Sequence, residues 1–187
     1  FSHIADIGTP SPILALALAH DSETVVVRLA PLVDTLAAAP VLNCVGDEEV
    51  LPFRPECFDL AVSALALHMV NDLPGTLVQI RRSLRPDGLF IGAIIGGGSL
   101  RELREALGEA EAEITGGASP RVAPFADVRD MGGLLQRAGF ALPVADSEPL
   151  NVSYDDLFAL MADLRAMGAP HTLTARLRRP PSRPVFL

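Results

Sequence analysis

The chain has 187 residues, a formal net charge of −8 and fifteen basic residues that are all Arg, so it lacks the basic stripe that binds nucleic acid or an anionic membrane surface. Apolar residues make up 49% of it, yet no uninterrupted run approaches the roughly 18 positions a membrane span requires. Cys44 and Cys57, the only two cysteines, are too few for a disulfide framework and have no metal-ligand spacing.

In chain order, His3-Ile4-Ala5-Asp6-Ile7-Gly8 reads as a first strand and its exit. Ser11-Pro12 places an N-cap residue and an N1 proline before the apolar helix that begins at Ile13. Residues 24–28, rich in β-branched Val, form a second strand. Residues 31–38 read as a short helix and 41–45 as a third strand, in which Cys44 is a small core residue. An acidic turn, Asp47-Glu48-Glu49, and a Leu51-Pro52-Phe53 corner lead into Cys57-Phe58-Asp59-Leu60-Ala61-Val62-Ser63-Ala64-Leu65. That apolar run has the length and continuity of a strand buried on both faces. Strands alternating with helices at these intervals predict βαβ units and a parallel sheet with right-handed crossovers.

Asn71-Asp72-Leu73-Pro74 starts a helix carrying Leu77, Ile80 and Leu84 at helical spacing, Arg85-Pro86-Asp87-Gly88 is turn chemistry, and residues 89–95 form a fifth strand. Ser99 with Glu102 predicts a capping box for a helix with Leu100, Leu103, Leu107 and Ile114 on one face. A proline-restricted loop over 116–125 follows, then a helix with Val128, Met131, Leu134, Leu135 and Ala138, closed by Gly139. Residues 140–144, extending toward Val152, predict a sixth strand. Ser153 and Asp156 cap a last helix that Gly168 and Pro170 stop. The pattern gives one domain over 1–175 and an Arg/Pro-rich tail over 176–187, without internal repeats. The missing initiator Met and the absence of a seventh strand lead us to expect further residues at both ends.

From Asp47 to about Arg176 the pieces Phe58-Asp59-Leu60, Leu67-His68, Val70-Asn71-Asp72-Leu73-Pro74, Pro86-Asp87-Gly88, Glu102-Leu103-Arg104, Gly116-Gly117, Arg137-Ala138-Gly139-Phe140, Tyr154 and Asp163-Leu164 follow in one order. In that order they resemble the class I S-adenosylmethionine-dependent methyltransferases of the type 11 group. The branch is similar to the mitochondrial complex I assembly factors described as protein-arginine hydroxylases and, more distantly, to the malonyl-carrier-protein methyltransferases of biotin synthesis. The resemblance implies an α/β, Rossmann-like fold: a twisted, mostly parallel sheet with helices on both faces, in strand order 3-2-1-4-5 with a sixth strand beyond. It also implies S-adenosylmethionine as cofactor, with Asp6, Gly8, Asp47, Glu48 and Ala64 around it and Arg121 and Tyr154 on a lid over the substrate side.

The front of the chain departs from the family pattern. Pro10 and Pro12 occupy two positions where the family has glycine, and each removes an N–H and adds bulk. Arg28 stands where the family has an acid that accepts both ribose hydroxyls, and a guanidinium has donors only. Gly8 serves a strand-to-helix turn or a close approach of cofactor. Asp47 caps its turn or contacts adenine, and Arg28 is either a solvated strand-end arginine or a carboxylate or phosphate ligand. His68, just past the fourth strand, is a candidate catalytic base or a packed residue. Tyr154 is equally an amphipathic core residue. His3, His20 and His171 have no metal spacing.

The expected function is methyl transfer to a small molecule or protein side chain by a soluble, cytoplasmic protein of bacterial type. The alternative is a non-methylating, methyltransferase-like assembly factor that binds a respiratory complex I subunit, with or without arginine hydroxylation.

Overall fold

The computed structural model describes residues 1–32, 37–38, 40–117, 121–167 and 174. Five strands form one sheet: β1 (His3–Ile7), β2 (Val25–Ala30), β3 (Leu42–Val45), β4 (Phe58–Ala64) and β5 (Leu84–Ala93), in the order β3-β2-β1-β4-β5. All four pairings are parallel, as the alternation of strands and helices predicts. The helices are α1 (Ile13–Leu18), α2 (Leu73–Ser83), α3 (Arg101–Thr115), α4 (Val128–Arg137) and α5 (Leu157–Ala166), with a 3₁₀ turn at Leu67–Met69.

Period-two alternation along the strands sorts their side chains into two layers. Ala5, Ile7, Leu29 and Ala61 point to one side and pack with Leu77, Ile80, Leu84, Leu135 and Ala138, and Phe58, which precedes the irregularity between β4 and β5, joins the same cluster. Ile4, Val26, Leu60 and Val62 point to the other and pack with Ala15, Ala37 and Val41. The sheet is therefore covered on both faces, which is why β4 is buried almost along its whole length. The same alternation puts Asp6 and Arg28 on the α1 side, and the parallel register makes them direct neighbours.

Capping chemistry explains three helix starts. Asp72 accepts from Gly75 N at 2.9 Å with Pro74 in the first turn of α2, Asp127 accepts from Arg129 N and Asp130 N, and Asp156 accepts from Ala159 N. Gly139 leaves α4 at φ +89°, the left-handed geometry that glycine adopts without strain.

Other expectations are corrected. The capping box at Ser99 does not form: Leu100, at φ +55°, stands between Ser99 and the first turn of α3, which has no side-chain cap. Ser99 instead offers its carbonyl to Arg104 Nη2 at 3.4 Å. The expected apolar face of α3 is only half-buried at Leu103 and Leu107 and exposed at Ile114, while Glu111 is 4% exposed. The fifth strand starts earlier than predicted, at Leu84. The Arg85-Pro86-Asp87-Gly88 turn becomes a bulge inside it, so that Phe58 pairs with Leu84 and Leu60 with Leu89. No sixth strand follows α4 among the described residues. Phe140 packs against Phe90 at 5.5 Å, and then Leu142 and Val144 lie 94% and 88% exposed with no strand beside them. Among the described residues β5 accordingly pairs with β4 alone. Most of the helix expected over 31–38, the Gly168 and Pro170 stop, and all of the 176–187 tail lie outside the described residues. Among those described, no helix is long and apolar enough to cross a membrane.

At the amino edge, Asp59 fastens the start of the chain: Oδ2 accepts from Ser2 N at 3.1 Å, Ser2 Oγ at 2.8 Å and His3 N at 2.9 Å, and Oδ1 accepts from Arg85 Nη1 at 2.6 Å. These bonds, the Ser2 hydroxyl first, hold its carboxyl well below the usual carboxylate range. A carboxyl depressed in the folded state contributes stability above its unfolded pKa of about 3.9 and loses it as pH falls toward the folded value. Asp59→Asn should thus be less stable than wild type at pH 7, and the gap should close progressively below about pH 4. Denaturant unfolding at a series of pH values checks this, and a pH-independent gap would mean that Asp59 acts through packing instead.

Candidate functional site

The strand order places β1 and β4 side by side at the centre of the sheet, with crossovers departing in opposite directions from their carboxyl ends. In open α/β sheets this switch point is where ligands bind. The residues that leave it are Gly8 and Thr9 after β1, and Ala64 to His68 after β4.

A buried ion pair fixes the β1 side. Asp6 and Arg28 are both 0% exposed, and Arg28 Nη1 donates to Asp6 Oδ2 at 2.7 Å. The guanidinium also donates to Thr9 O at 2.6 Å and Ser11 O at 3.2 Å. The Thr9 hydroxyl donates to Asp6 Oδ1 and accepts from Ala64 N at 3.1 Å, which ties the β1 loop to the end of β4. Burial pushes the Asp6 carboxyl up, and the Thr9 and Arg28 hydrogen bonds oppose that. The expectation of a solvated strand-end arginine is therefore corrected: Arg28 lies within β2, faces α1, and takes a carboxylate from the neighbouring strand. Asp6 and Ala64 both belong to this network, and so does Thr9, which sequence reading missed.

Gly8 turns out of the sheet at φ +70° and donates its N–H to Leu29 O at 2.9 Å. A Cβ at this position would meet Glu48 Cγ and Oε1 at 2.6 Å and Ala66 Cβ at 3.0 Å. The Glu48 side chain thus lies directly across the loop, with its carboxyl pushed up by burial and by its acidic neighbours Asp47 and Glu49. Asp47 is exposed and caps the turn, since Oδ1 accepts from Glu49 N at 2.8 Å and its carbonyl from Val50 N at 3.1 Å. Glu49 was passed over by sequence reading and is structural. It accepts from Asn71 N and Nδ2 at 2.8 Å and Asp72 N at 3.2 Å, and its carbonyl accepts from Gln79 at 2.7 Å.

On the β4 side, His68 sits in the 3₁₀ turn. Both ring nitrogens are buried and have no hydrogen-bond partner. Burial lowers its pKa, so the ring is neutral at neutral pH. Its edge meets Phe125 at 5.7 Å and 73°, and the Arg104 guanidinium lies 6.0 Å from the same Phe125 ring. Gly97 N donates to Ala126 O at 2.9 Å, which holds the loop after β5 against the 121–127 segment. Phe125 is a second residue that sequence reading missed.

The two lid-side residues are engaged elsewhere. Arg121 pairs with the buried Glu111 of α3, its Nε at 3.0 Å from Oε1. Tyr154 donates its hydroxyl to Asp163 of α5 at 3.0 Å, which raises the phenol pKa. The structure brings Asp6, Gly8, Glu48, Ala64 and His68 to one edge. The described contacts of Arg121 and Tyr154 are with Glu111 of α3 and Asp163 of α5. No group of three or more metal-ligating side chains occurs among the described residues.

Comparison with known proteins gives the site its context. Residues 5–92 match a family described as methyltransferase domain. The chain is 51% identical over 129 residues to the mouse protein named arginine-hydroxylase NDUFAF5, mitochondrial, a match covering 69% of this chain and 38% of that one. It is 43% identical over 139 residues to the malonyl-[acyl-carrier protein] O-methyltransferase of Laribacter hongkongensis, covering 74% and 44%. The chain thus spans about two fifths of the length of these relatives. In fold it is similar to an S-adenosylmethionine-dependent methyltransferase from Mesorhizobium loti, with TM-score 0.55, 19% identity and 74% of each chain covered.

The Asp6–Arg28 pair makes a direct prediction. Arg28→Met leaves a carboxylate buried alone and should cost roughly 3–5 kcal/mol, whereas Asp6→Leu combined with Arg28→Met should recover part of that loss. Urea unfolding of the three proteins measures it, and a single-variant cost below about 1 kcal/mol would show that the pair is not what holds the loop.

Proposed function

We propose, from the match of residues 5–92 to a methyltransferase-domain family, that the chain is an S-adenosylmethionine-dependent methyltransferase that modifies a small molecule or a protein side chain. The observation that carries this reading is the convergence of Gly8, Glu48, Ala64 and His68 at the switch point of a sheet in the order β3-β2-β1-β4-β5. Their chemistry suits that cofactor in most respects. Asp47 is exposed and has acceptor capacity for an adenine amine, and Glu48 offers a carboxylate beside the loop that faces the methionine part. At the end of β2 the set differs from the family pattern, because Arg28 has only donors and turns them on its own loop.

When bound, the cofactor supplies an electrophilic methyl group. The residues of this chain position the acceptor, keep water out and handle its proton. His68 is neutral, unpaired and shielded by Phe125, so it is the group here that can accept a proton or a hydrogen bond from a substrate. An orphaned buried nitrogen costs about 1–3 kcal/mol, which a substrate donor would offset.

A second reading is favoured by the 51% identity to an arginine-hydroxylase and by the absence of a ribose acceptor at Arg28. In it the chain is an assembly factor that binds a respiratory complex I subunit and hydroxylates an arginine or leaves it unmodified. The setting we propose for either reading is the cytoplasm of a bacterial-type cell.

Two measurements test these readings. Mass spectrometry of the proteins and small molecules from cells lacking the gene should reveal an acceptor that has lost one methyl group. Loss of one oxygen from an arginine would select the second reading with modification, and no change in any protein or small molecule would leave binding alone. Within the methyltransferase reading, His68→Phe should leave the melting temperature unchanged or higher, by removing two unpartnered nitrogens, while product formation falls about tenfold or more. A parallel loss of stability and activity would make His68 a packing residue.

A further inference from the structure

Three acids in a row follow β3, and the fold uses them differently. Asp47 caps the turn through Glu49 N. Glu49 is committed to Asn71 and Asp72 at the start of α2. Among the described residues no side chain pairs with the carboxyl of Glu48, and it reaches back over Gly8 until Cγ and Oε1 stand 2.6 Å from where a Cβ would be, beside Ala66. A half-buried carboxylate costs desolvation that a partner normally offsets, and nothing in the packing of the loop needs a charge at this point.

Taking the S-adenosylmethionine reading above as its basis, we propose that Glu48 is a charge-specificity residue: its carboxylate over Gly8 favours a ligand with a fixed positive charge over the neutral counterpart of the same shape. The methionine part of S-adenosylmethionine carries a sulfonium that cannot lose its charge, and the product S-adenosylhomocysteine carries a neutral thioether in its place. A carboxylate partly withdrawn from water acts on that difference with less screening than an exposed one. Glu48 therefore helps retain the reactive cofactor and release the spent one. Asp47, on the exposed side of the turn, and Glu49, whose oxygens are taken up by Asn71 and Asp72 just before α2, do not meet the same condition.

Calorimetric titration of the full chain with S-adenosylmethionine and S-adenosylhomocysteine, in wild type, Glu48→Gln and Glu48→Ala, tests this. Wild type should bind the sulfonium form more tightly, and in both variants the ratio of the two dissociation constants should drop roughly tenfold, about 1.4 kcal/mol. Most of that drop should come from weaker S-adenosylmethionine binding, with an unchanged melting temperature. A merely structural Glu48 would weaken both ligands alike. An unchanged ratio in both variants overturns the role of Glu48 and leaves the cofactor reading standing. If wild type binds neither ligand at millimolar concentration, the cofactor reading fails and the inference fails with it.

Discussion

The loop that leaves the first strand is held by a charge that has no access to water. Once β1 and β2 pair in parallel with Asp6 opposite Arg28, both side chains must lie on the α1 face, and neither can stay buried without the other. The remaining guanidinium donors then dictate where the loop goes, because they require carbonyls, and Thr9 and Ser11 provide them. This changes the meaning of the two prolines. The missing N–H groups of Pro10 and Pro12 are not missed by a loop gripped through its carbonyl oxygens. The departures from the family pattern at positions 10, 12 and 28 form one compensated set.

The opposite side of the site is organised by apolar contact and satisfied acids. Glu49 and Gln79 fasten the β3–β4 loop to α2, which sits on the larger of the two cores. That rigid support is what gives the neighbouring Glu48 a defined position over Gly8. His68 and Phe125 meet because Gly97 binds the 121–127 segment. The edge therefore combines a polar half set by β1 and β2 with an aromatic half set by β4 and the segment before α4.

Strand and helix identities were legible because they are written in local periodicity and capping chemistry. The Val-rich β2, the buried run of β4, and the helix starts at Asp72 and Asp156 each carry their signal within a few residues. What could not be read depended on partners distant in sequence. The burial of Arg28 is decided by a carboxylate 22 positions earlier, through a register that exists only once the strands pair. The charge on Arg121 is met by Glu111, a residue on what looked like the edge of an apolar helix face. Residues 140–144 have strand composition, but composition alone does not supply a neighbour with which to hydrogen-bond. The capping box failed for a local reason invisible to pattern, the left-handed backbone at Leu100. Of the candidate site, Gly8 and His68 are named by their place after strands, whereas Thr9 and Phe125 carry no signal of their own.

The outer margin of β5 bears on how the protein behaves in concentrated solution. Leu89 and Ile91 are 43% and 55% exposed on a strand that, among the described residues, is paired on one side, and an unpaired strand side is a template on which another extended chain can add. The first half of the strand is blunted: Arg85 brings a charge, Pro86 removes a donor, and Asp87 turns left-handed at φ +61°. Only about the second half remains flat and apolar. Self-association through this margin is therefore confined to a short stretch, and a single lysine in place of Ile91 would be the economical way to raise solubility without touching the site.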